Sequence, residues 1–264
     1  MSLLELKDIK KTYSLGNSIL GKRKSVEAIK GISLTLEQGV CLGIVGESGS
    51  GKSTLGKIIL GLEKPDQGEV LFQGKHLHSL KAKELKELRR NLQVVFQDCY
   101  SAVNPRLTIG EIIAEPIRNY ERLSPTEERK QVEGLLEIVG LRLEDMHKYP
   151  SQFSGGQLQR INIARAIALK PNLIILDEAI SALDALVQVQ ILNLLVQLKE
   201  DFQLSYLFIS HDLQAVNYIA DRIAVMYQGE VVEWLDDMEK LEQLKHPVSK
   251  KLISSVLSPY PVFF

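Results

Sequence analysis

The sequence is poor in the features that announce several large protein classes. Among 264 residues there are two cysteines, Cys41 and Cys99, both in apolar or strand-like runs. That is too few for a disulfide framework or a cysteine zinc site. The five histidines are scattered, with no ligand spacing. No apolar run approaches the 18 or more residues of a membrane span; the richest stretches, 171–180 and 191–198, are short and carry polar residues. The first eight residues reach Glu5, Lys7 and Asp8 too early for a secretory signal. Basic residues bring no excess: 32 Lys+Arg stand against 33 Asp+Glu, a net charge of −1, which argues against a nucleic-acid-binding surface. Internal repeats and low-complexity segments are missing too. What remains is a composition 45% hydrophobic and 25% charged, the balance of a globular chain with one or two domains and an ample core.

Periodicity predicts strands at 4–13 and 31–36, flanking a Gly- and basic-rich loop at 14–25. A buried strand follows at 40–45, then a helix over 52–62 ended by Pro65, and a strand at 69–72. Residues 79–92 read as a basic amphipathic helix with Leu85, Leu88 and Leu92 on one face. After a strand at 93–96, the pattern from Gln97 to Gly140 is helical, with breaks at Pro105 and Pro116. Ser124-Pro125-Thr126-Glu127 is a capping box with proline at the first helical position. Alternating helices and strands then resume: a helix from Ser154 to about Leu169, a strand at 173–177, a helix at 185–200, a strand at 205–210 and a helix at 212–220. A hairpin turns on Gln228-Gly229, and a last helix spans 246–257.

Three elements carry chemistry. Gly46-Glu47-Ser48-Gly49-Ser50-Gly51-Lys52-Ser53 matches a glycine-rich phosphate loop at every fixed position, between a predicted strand and a predicted helix. Its glycines let backbone N–H groups wrap a phosphate, and the helix that follows adds a positive dipole end. Lys52 then reaches the β- and γ-phosphates, and the Ser53 hydroxyl suits Mg²⁺. The second element is Leu173-Ile174-Ile175-Leu176-Asp177-Glu178, an apolar strand ending in two acids. Two carboxylates there are costly unless they meet a cation or do chemistry. Asp177 fits a Mg²⁺ carboxylate, and Glu178 fits a group that orients and deprotonates attacking water. The third is Ser154-Gly155-Gly156-Gln157, a helix start with a good cap and exposed backbone N–H groups. A γ-phosphate could be gripped by both anion-binding elements of one chain or by elements of two chains.

Taken in order and spacing, the phosphate loop, Gln97, Ser154–Gln157, Leu173–Glu178, Ser181-Ala182-Leu183-Asp184 and His211 resemble an ATP-binding cassette (ABC) ATPase over roughly residues 3–235. The resemblance implies an α/β fold of the P-loop NTPase, ABC-cassette type with an antiparallel β subdomain and a helical insert. On that pattern 1–96 and 154–235 form the ATP-binding core, 97–153 the helical subdomain and 236–264 a short tail. It also implies two cassettes paired head to tail, so that Ser154–Gln157 of one faces the γ-phosphate held by Lys52 of the other. By the same carry-over ATP is held by Tyr13, stacked on adenine, and by residues 46–53 together with Thr54. Gln97 touches Mg²⁺ and senses the γ-phosphate, Asp184 lies in the loop crossing the dimer interface, and His211 helps Glu178 hold the water.

Phe96-Gln97-Asp98, the stretches Ser101–Arg106 and Ile109–Pro116, and His246-Pro247-Val248-Ser249-Lys250 resemble the ATPase subunits of peptide and nickel importers, where an aromatic is usual in place of Val248. Ser101-Ala102-Val103-Asn104-Pro105-Arg106, the Asp177-Glu178-Ala179 run and the short C-terminus lean toward the nickel or metal-chelate branch, with an oligopeptide or dipeptide importer as the alternative. Without tail cysteines, no iron–sulfur cluster is expected. The partners implied are a second ATPase subunit, identical or related, two integral-membrane permeases and, indirectly, an extracytoplasmic solute-binding protein, with the chain peripheral on the cytoplasmic face of the membrane. A soluble cassette acting on DNA or ribosomes is the rival from another class, and its long insertions or basic linkers are not seen. An exporter ATPase fits the segment from Gln97 to Pro116 less well, and a small-molecule kinase has no need of Ser154–Gln157.

Overall fold

The structure, a computed structural model, describes residues 2–15 and 24–256; most of the loop expected at 14–25 lies outside them. The described chain divides into two compact units. One is drawn from Met1–Leu85 and Ser205–Phe264, the other is Lys86–Leu204. The helix α2 (Ala82–Arg90) contains the boundary between them.

In the first unit, β1 (Ser2–Leu15) and β2 (Lys24–Glu37) pair antiparallel, and β4 (Gln67–Phe72) and β5 (Lys75–His76) extend them into a four-stranded sheet of order β2-β1-β4-β5. Alternation along β1 turns Leu4 and Leu6 inward, and an irregularity at Asp8, φ +48°, shifts the phase so that Ile9 is buried too. A second group runs β10-β9-β3-β8, from β3 (Cys41–Val45), β8 (Ser205–Ser210), β9 (Arg222–Tyr227) and β10 (Glu230–Leu235). Here β3 is parallel to both β8 and β9. Every residue of β3 and β8 is buried, which is why both read as continuous apolar runs and not as alternation. Helices α1 (Lys52–Ile59) and α7 (Leu213–Ile219) pack on them. The α8 helix (Pro247–Val256) packs against α7.

In the second unit, β6 (Leu92–Phe96) and β7 (Leu173–Asp177) are parallel. The helices are α3 (Ile109–Tyr120), α4 (Pro125–Ile138), α5 (Gly155–Ile167) and α6 (Ala185–Phe202). Ile109, Ile112, Ile113, Leu136 and Ile161 are buried among them. No helix of the described residues is long and apolar enough to cross a membrane.

Most predicted elements are present, and the departures have local causes. Helix α1 stops at Ile59, short of Leu62 and independent of Pro65. Gly61, at φ +64°, takes the left-handed position and lets Leu62 N–H return to Lys57 O at 2.9 Å. Residues 97–108 are turns and not helix. The Asp98 carboxylate there accepts from the N–H groups of Tyr100 and Ser101 at 3.0 and 3.1 Å, a local bond that competes with helical ones. Pro116 does not break α3 but sits inside it. Its missing N–H costs one helical bond, and buried Ile112, Ile113 and Ile117 hold the helix across the gap. Leu92 belongs to β6, not to the face of α2. The capping box at Ser124, with Pro125 following, is formed as predicted, and Gly140 at φ +72° follows the end of α4. Between β9 and β10, Gln228 and Gly229 both take positive φ, +47° and +87°, the backbone that a two-residue hairpin of primed type needs. Both cysteines are buried, and neither is in a disulfide.

Gly43 in β3 lies directly under α7. A Cβ there would collide with the Val216 side chain and stand 3.3 Å from the Ala220 Cβ. Gly43→Val is therefore expected to lower unfolding free energy by about 1–3 kcal/mol through overpacking, read from the urea midpoint.

Candidate active site

Strand pairing places the chemistry in each unit. In the first, Val45 of β3 is registered with Ser210 of the parallel β8. The phosphate loop and His211 therefore leave neighbouring strands at the same carboxyl edge, where open α/β sheets bind ligands. The loop between β3 and α1 is shaped by Gly49 and Gly51, at φ +81° and +103°. Gly51 has no room for a side chain: a Cβ would strike Ala28 O and come within 2.9 Å of Ile29 Cδ1. The β9–β10 turn buttresses the loop from below. Gly229 N–H donates to Ser50 O at 3.0 Å, while Gly229 O accepts from Lys30 N–H at 2.9 Å.

Lys52 is only 5% exposed. Its ammonium donates to Gly46 O at 2.7 Å and Glu47 O at 3.1 Å, so it lies over the concave side of its own loop. The Ser50 hydroxyl is buried with no partner among the described residues. An orphaned hydroxyl, a buried ammonium and two left-handed glycines together fit an anion held by backbone and side-chain donors. Ser53 stands exposed on the first turn of α1.

Tyr13, on β1, is half-buried beside the same helix. Its hydroxyl bonds the Glu63 carboxylate, and the Lys11 ammonium lies 5.7 Å from the ring centroid. Burial, then the Glu63 bond, raises the Tyr13 phenol above its ordinary range. After β8, His211 is exposed, and Asp212 caps α7 by accepting from Gln214 N–H at 2.8 Å and Ala215 N–H at 3.3 Å.

In the second unit the register repeats. Phe96 of β6 pairs with Asp177 of β7, so Gln97 and Glu178 follow side by side at one carboxyl edge. Asp177 and Glu178 are half-buried, and Gln97 is exposed. Glu178 is left-handed, φ +52°, a conformation costing a non-glycine residue on the order of 1 kcal/mol or more. Ser181 holds it there: its N–H and hydroxyl both donate to Glu178 O, at 3.1 and 2.9 Å. Asp184 caps α6, accepting from Val187 N–H at 3.1 Å.

Ser154 caps α5 in a capping box: its hydroxyl accepts from Gln157 N–H at 3.4 Å, and Gln157 Oε1 accepts from Ser154 N–H at 3.0 Å. Ser154 and Gln157 are exposed, presenting the helix start outward. Gly156 is needed on the opposite side, where a Cβ would collide with Val187 of α6. A cavity of about 250 Å³ lies beside this start, lined by Gln97, Asp98, Cys99, Gly155, Gln159 and Ala179 among others.

One contact was not legible in the sequence. Lys251 on α8 pairs with Glu47, the acid of the phosphate loop, at 2.5 Å. The pair holds the Lys251 ammonium above the usual lysine range. It also offsets the negative charge of Glu47 in a loop whose other groups are hydrogen-bond donors suited to an anion. No motif marks it, because it joins residues 204 positions apart.

A glycine-rich loop between a buried parallel strand and a helix, with carboxylates ending another parallel strand, defines a P-loop ATPase of the cassette type. A family model described as the ABC transporter matches residues 29–181, and the chain belongs to that family, as an ATP-binding subunit. Curated relatives extend the match over nearly the whole chain. The oligopeptide transport ATP-binding protein AppF of Bacillus subtilis is 45% identical over 257 residues, 97% of this chain and 78% of the relative. The protein of the same description named OppF in Salmonella typhimurium is 46% identical, over 98% of this chain and 79% of its own. Among solved structures, a dimeric post-hydrolysis state of the cassette MJ0796 bound to ADP and Pi has a TM-score of 0.76 at 33% identity, covering 88% of this chain and 97% of that one. The cbiO1 structure of Clostridium perfringens, described as part of the ABC transporter complex cbiONQ, reaches 0.80 at 27% identity, covering 97% and 94%. The α/β cassette fold read from the motifs is thereby established.

Lys52→Ala removes the buried ammonium but neither glycine. ATP affinity is expected to fall roughly 10- to 100-fold, the value of one charge-assisted bond, in equilibrium nucleotide titration with far-UV circular dichroism unchanged.

Proposed function

We propose that this chain powers an importer by hydrolysing ATP, and that the imported substrate is an oligopeptide. The observation that carries hydrolysis is the Phe96–Asp177 pairing, which sets Gln97 and Glu178 next to each other after two parallel strands. In this reading Glu178 takes the proton of the attacking water, Gln97 and His211 orient that water, and Lys52 with the backbone of residues 46–51 binds the phosphates. Tyr13 stacks on the adenine, Thr54 lines the same nucleotide, and Ser154–Gln157 closes on the ATP of a second cassette, with Asp184 at that interface. The Ser53 hydroxyl, Gln97 amide and Asp177 carboxylate are hard oxygen donors of the kind Mg²⁺ takes, and such an ion supplies charge neutralisation on the phosphates. The division of labour among an ATP-binding core, a helical segment at 97–153 and a tail from 236 belongs to the same proposal.

The peptide reading replaces the nickel branch favoured by the motifs. Relatives matching 97–98% of the chain at 43–46% identity are named for oligopeptide transport. The motifs that leaned toward nickel lie in an ATPase subunit that does not touch the cargo, so they carry its identity weakly. Two permeases, a second ATPase and a solute-binding protein complete the proposed assembly at the cytoplasmic face of the membrane.

Glu178→Gln is expected to bind ATP with near-normal affinity and to hydrolyse it roughly 10²–10⁴-fold more slowly; near-normal turnover would remove Glu178 from the mechanism. For the cargo, the purified transporter in lipid vesicles is expected to hydrolyse ATP faster with oligopeptides and their binding protein, and not with Ni²⁺ or a nickel chelate. Stimulation by nickel alone would reverse the assignment.

A further inference from the structure

Helix α5 is buried on nearly every side, so its polar side chains must find partners inside the protein. Gln159 is 1% exposed and Asn162 is 2% exposed. With Arg165 they stand three residues apart and share one helix face. All three donate to backbone carbonyls, and those acceptors are also three residues apart. Gln159 Nε2 donates to Phe96 O at 3.4 Å, Asn162 Nδ2 to Cys99 O at 3.1 Å, and an Arg165 guanidinium N–H to Ala102 O at 2.7 Å. Two bonds run the other way, from the loop to the helix start: Tyr100 OH to Phe153 O at 3.3 Å, and Cys99 Sγ to Gly155 O at 3.7 Å. The segment from Phe96 to Ala102 is thus tied to α5 rung by rung.

Gln159 does more than the other two. The same Nε2 also donates to Ala179 O. It therefore touches the carbonyl just before Gln97 and the carbonyl just after Glu178, from a position two residues beyond Ser154–Gln157. Its Oε1 is buried and has no partner among the described residues. Filling a buried site with an amide whose acceptor goes unmatched costs free energy that an apolar side chain avoids. Only the donor end explains the residue.

We infer that Gln159 is a positioning residue for ATP hydrolysis: it fixes the backbone at Gln97 and at Glu178 to the helix that presents Ser154–Gln157, so the three keep one alignment. This rests on the roles proposed above for Gln97 and Glu178. The left-handed Glu178 sharpens the need, since a strained carboxylate position persists only while its surroundings hold it.

The test compares Gln159→Leu and Gln159→Glu in the full chain, with the partner subunits it assembles with. Leucine keeps the bulk and removes both donors. ATP affinity is expected to stay within about twofold while single-turnover hydrolysis slows by about tenfold or more. Amide exchange is expected to quicken at Ser181, whose N–H bonds Glu178 O, and over residues 97–102, but not in β3 or α4. In Gln159→Glu, burial raises the new carboxyl, and its protonated form regains one donor. The rate of that variant relative to Gln159→Leu is therefore expected to climb as pH falls from about 8 to about 6. A side chain that merely fills space gives no such climb. Wild-type hydrolysis by Gln159→Leu, unchanged exchange, or a flat ratio across pH each overturns the inference. Should Gln159→Leu fail to fold, the pH profile of Gln159→Glu, set against wild type, decides alone. A slow Glu178→Gln beside a fast Gln159→Leu discards only this inference, whereas a fast Glu178→Gln discards the assignment beneath it.

Discussion

Parallel strand pairing is the constraint on which the candidate site depends. Strands such as β3 and β8, covered on both faces, offer functional side chains no place along their length, so those side chains gather where the strands end. In one unit the Val45–Ser210 register delivers the phosphate loop and His211 to a common edge. In the other, the Phe96–Asp177 register does the same for Gln97 and Glu178. Slipping either pair by one residue would move its loop by about 3.3 Å and turn buried side chains to the opposite face. The buttressing turn at Gln228-Gly229, the glycines that admit close backbone approach and the rungs along α5 all serve to hold those edges still.

The net charge of the chain is −1. The proposed phosphate site is accordingly built from oriented backbone groups and one buried ammonium and needs no basic surface. Glu47 places a negative charge within the loop, and a lysine from α8 meets it.

Legibility followed distance along the chain. The strands 173–177 and 205–210 were readable to the residue because burial along nearly their whole length leaves an apolar run ending in polar residues. Capping at Ser124 and Ser154 was readable because cap chemistry lies within three residues. Pro116 misled because its local preference was outweighed by the isoleucines packed around it, and Gln97–Thr108 misled because Asp98 folds the backbone into turns that imitate no period. Lys251 against Glu47 and Gln159 against two carbonyls were not legible: each depends on residues brought together by the fold. The cargo left the faintest trace: the motifs leaned toward nickel, while the relatives are named for oligopeptide transport.

The first unit is assembled from two stretches of chain separated by the whole of the second. Gly39, at the approach to β3, bonds the Ser205 hydroxyl 166 residues later, and Cys41 N–H is held by Asp221 at 2.7 Å. While the chain is being synthesised, β3 emerges long before the strands that cover its edges, and the loop that follows it has no finished floor until the Gln228-Gly229 turn exists. Residues 86–204 depend on no such delay, since their paired strands and helices are contiguous. The contiguous inner segment can complete its pairing before residue 205 is made, whereas the first unit cannot. A nascent chain interrupted before residue 205 carries the glycine-rich loop without the β8 neighbour and the Gln228-Gly229 turn that hold it in the finished fold.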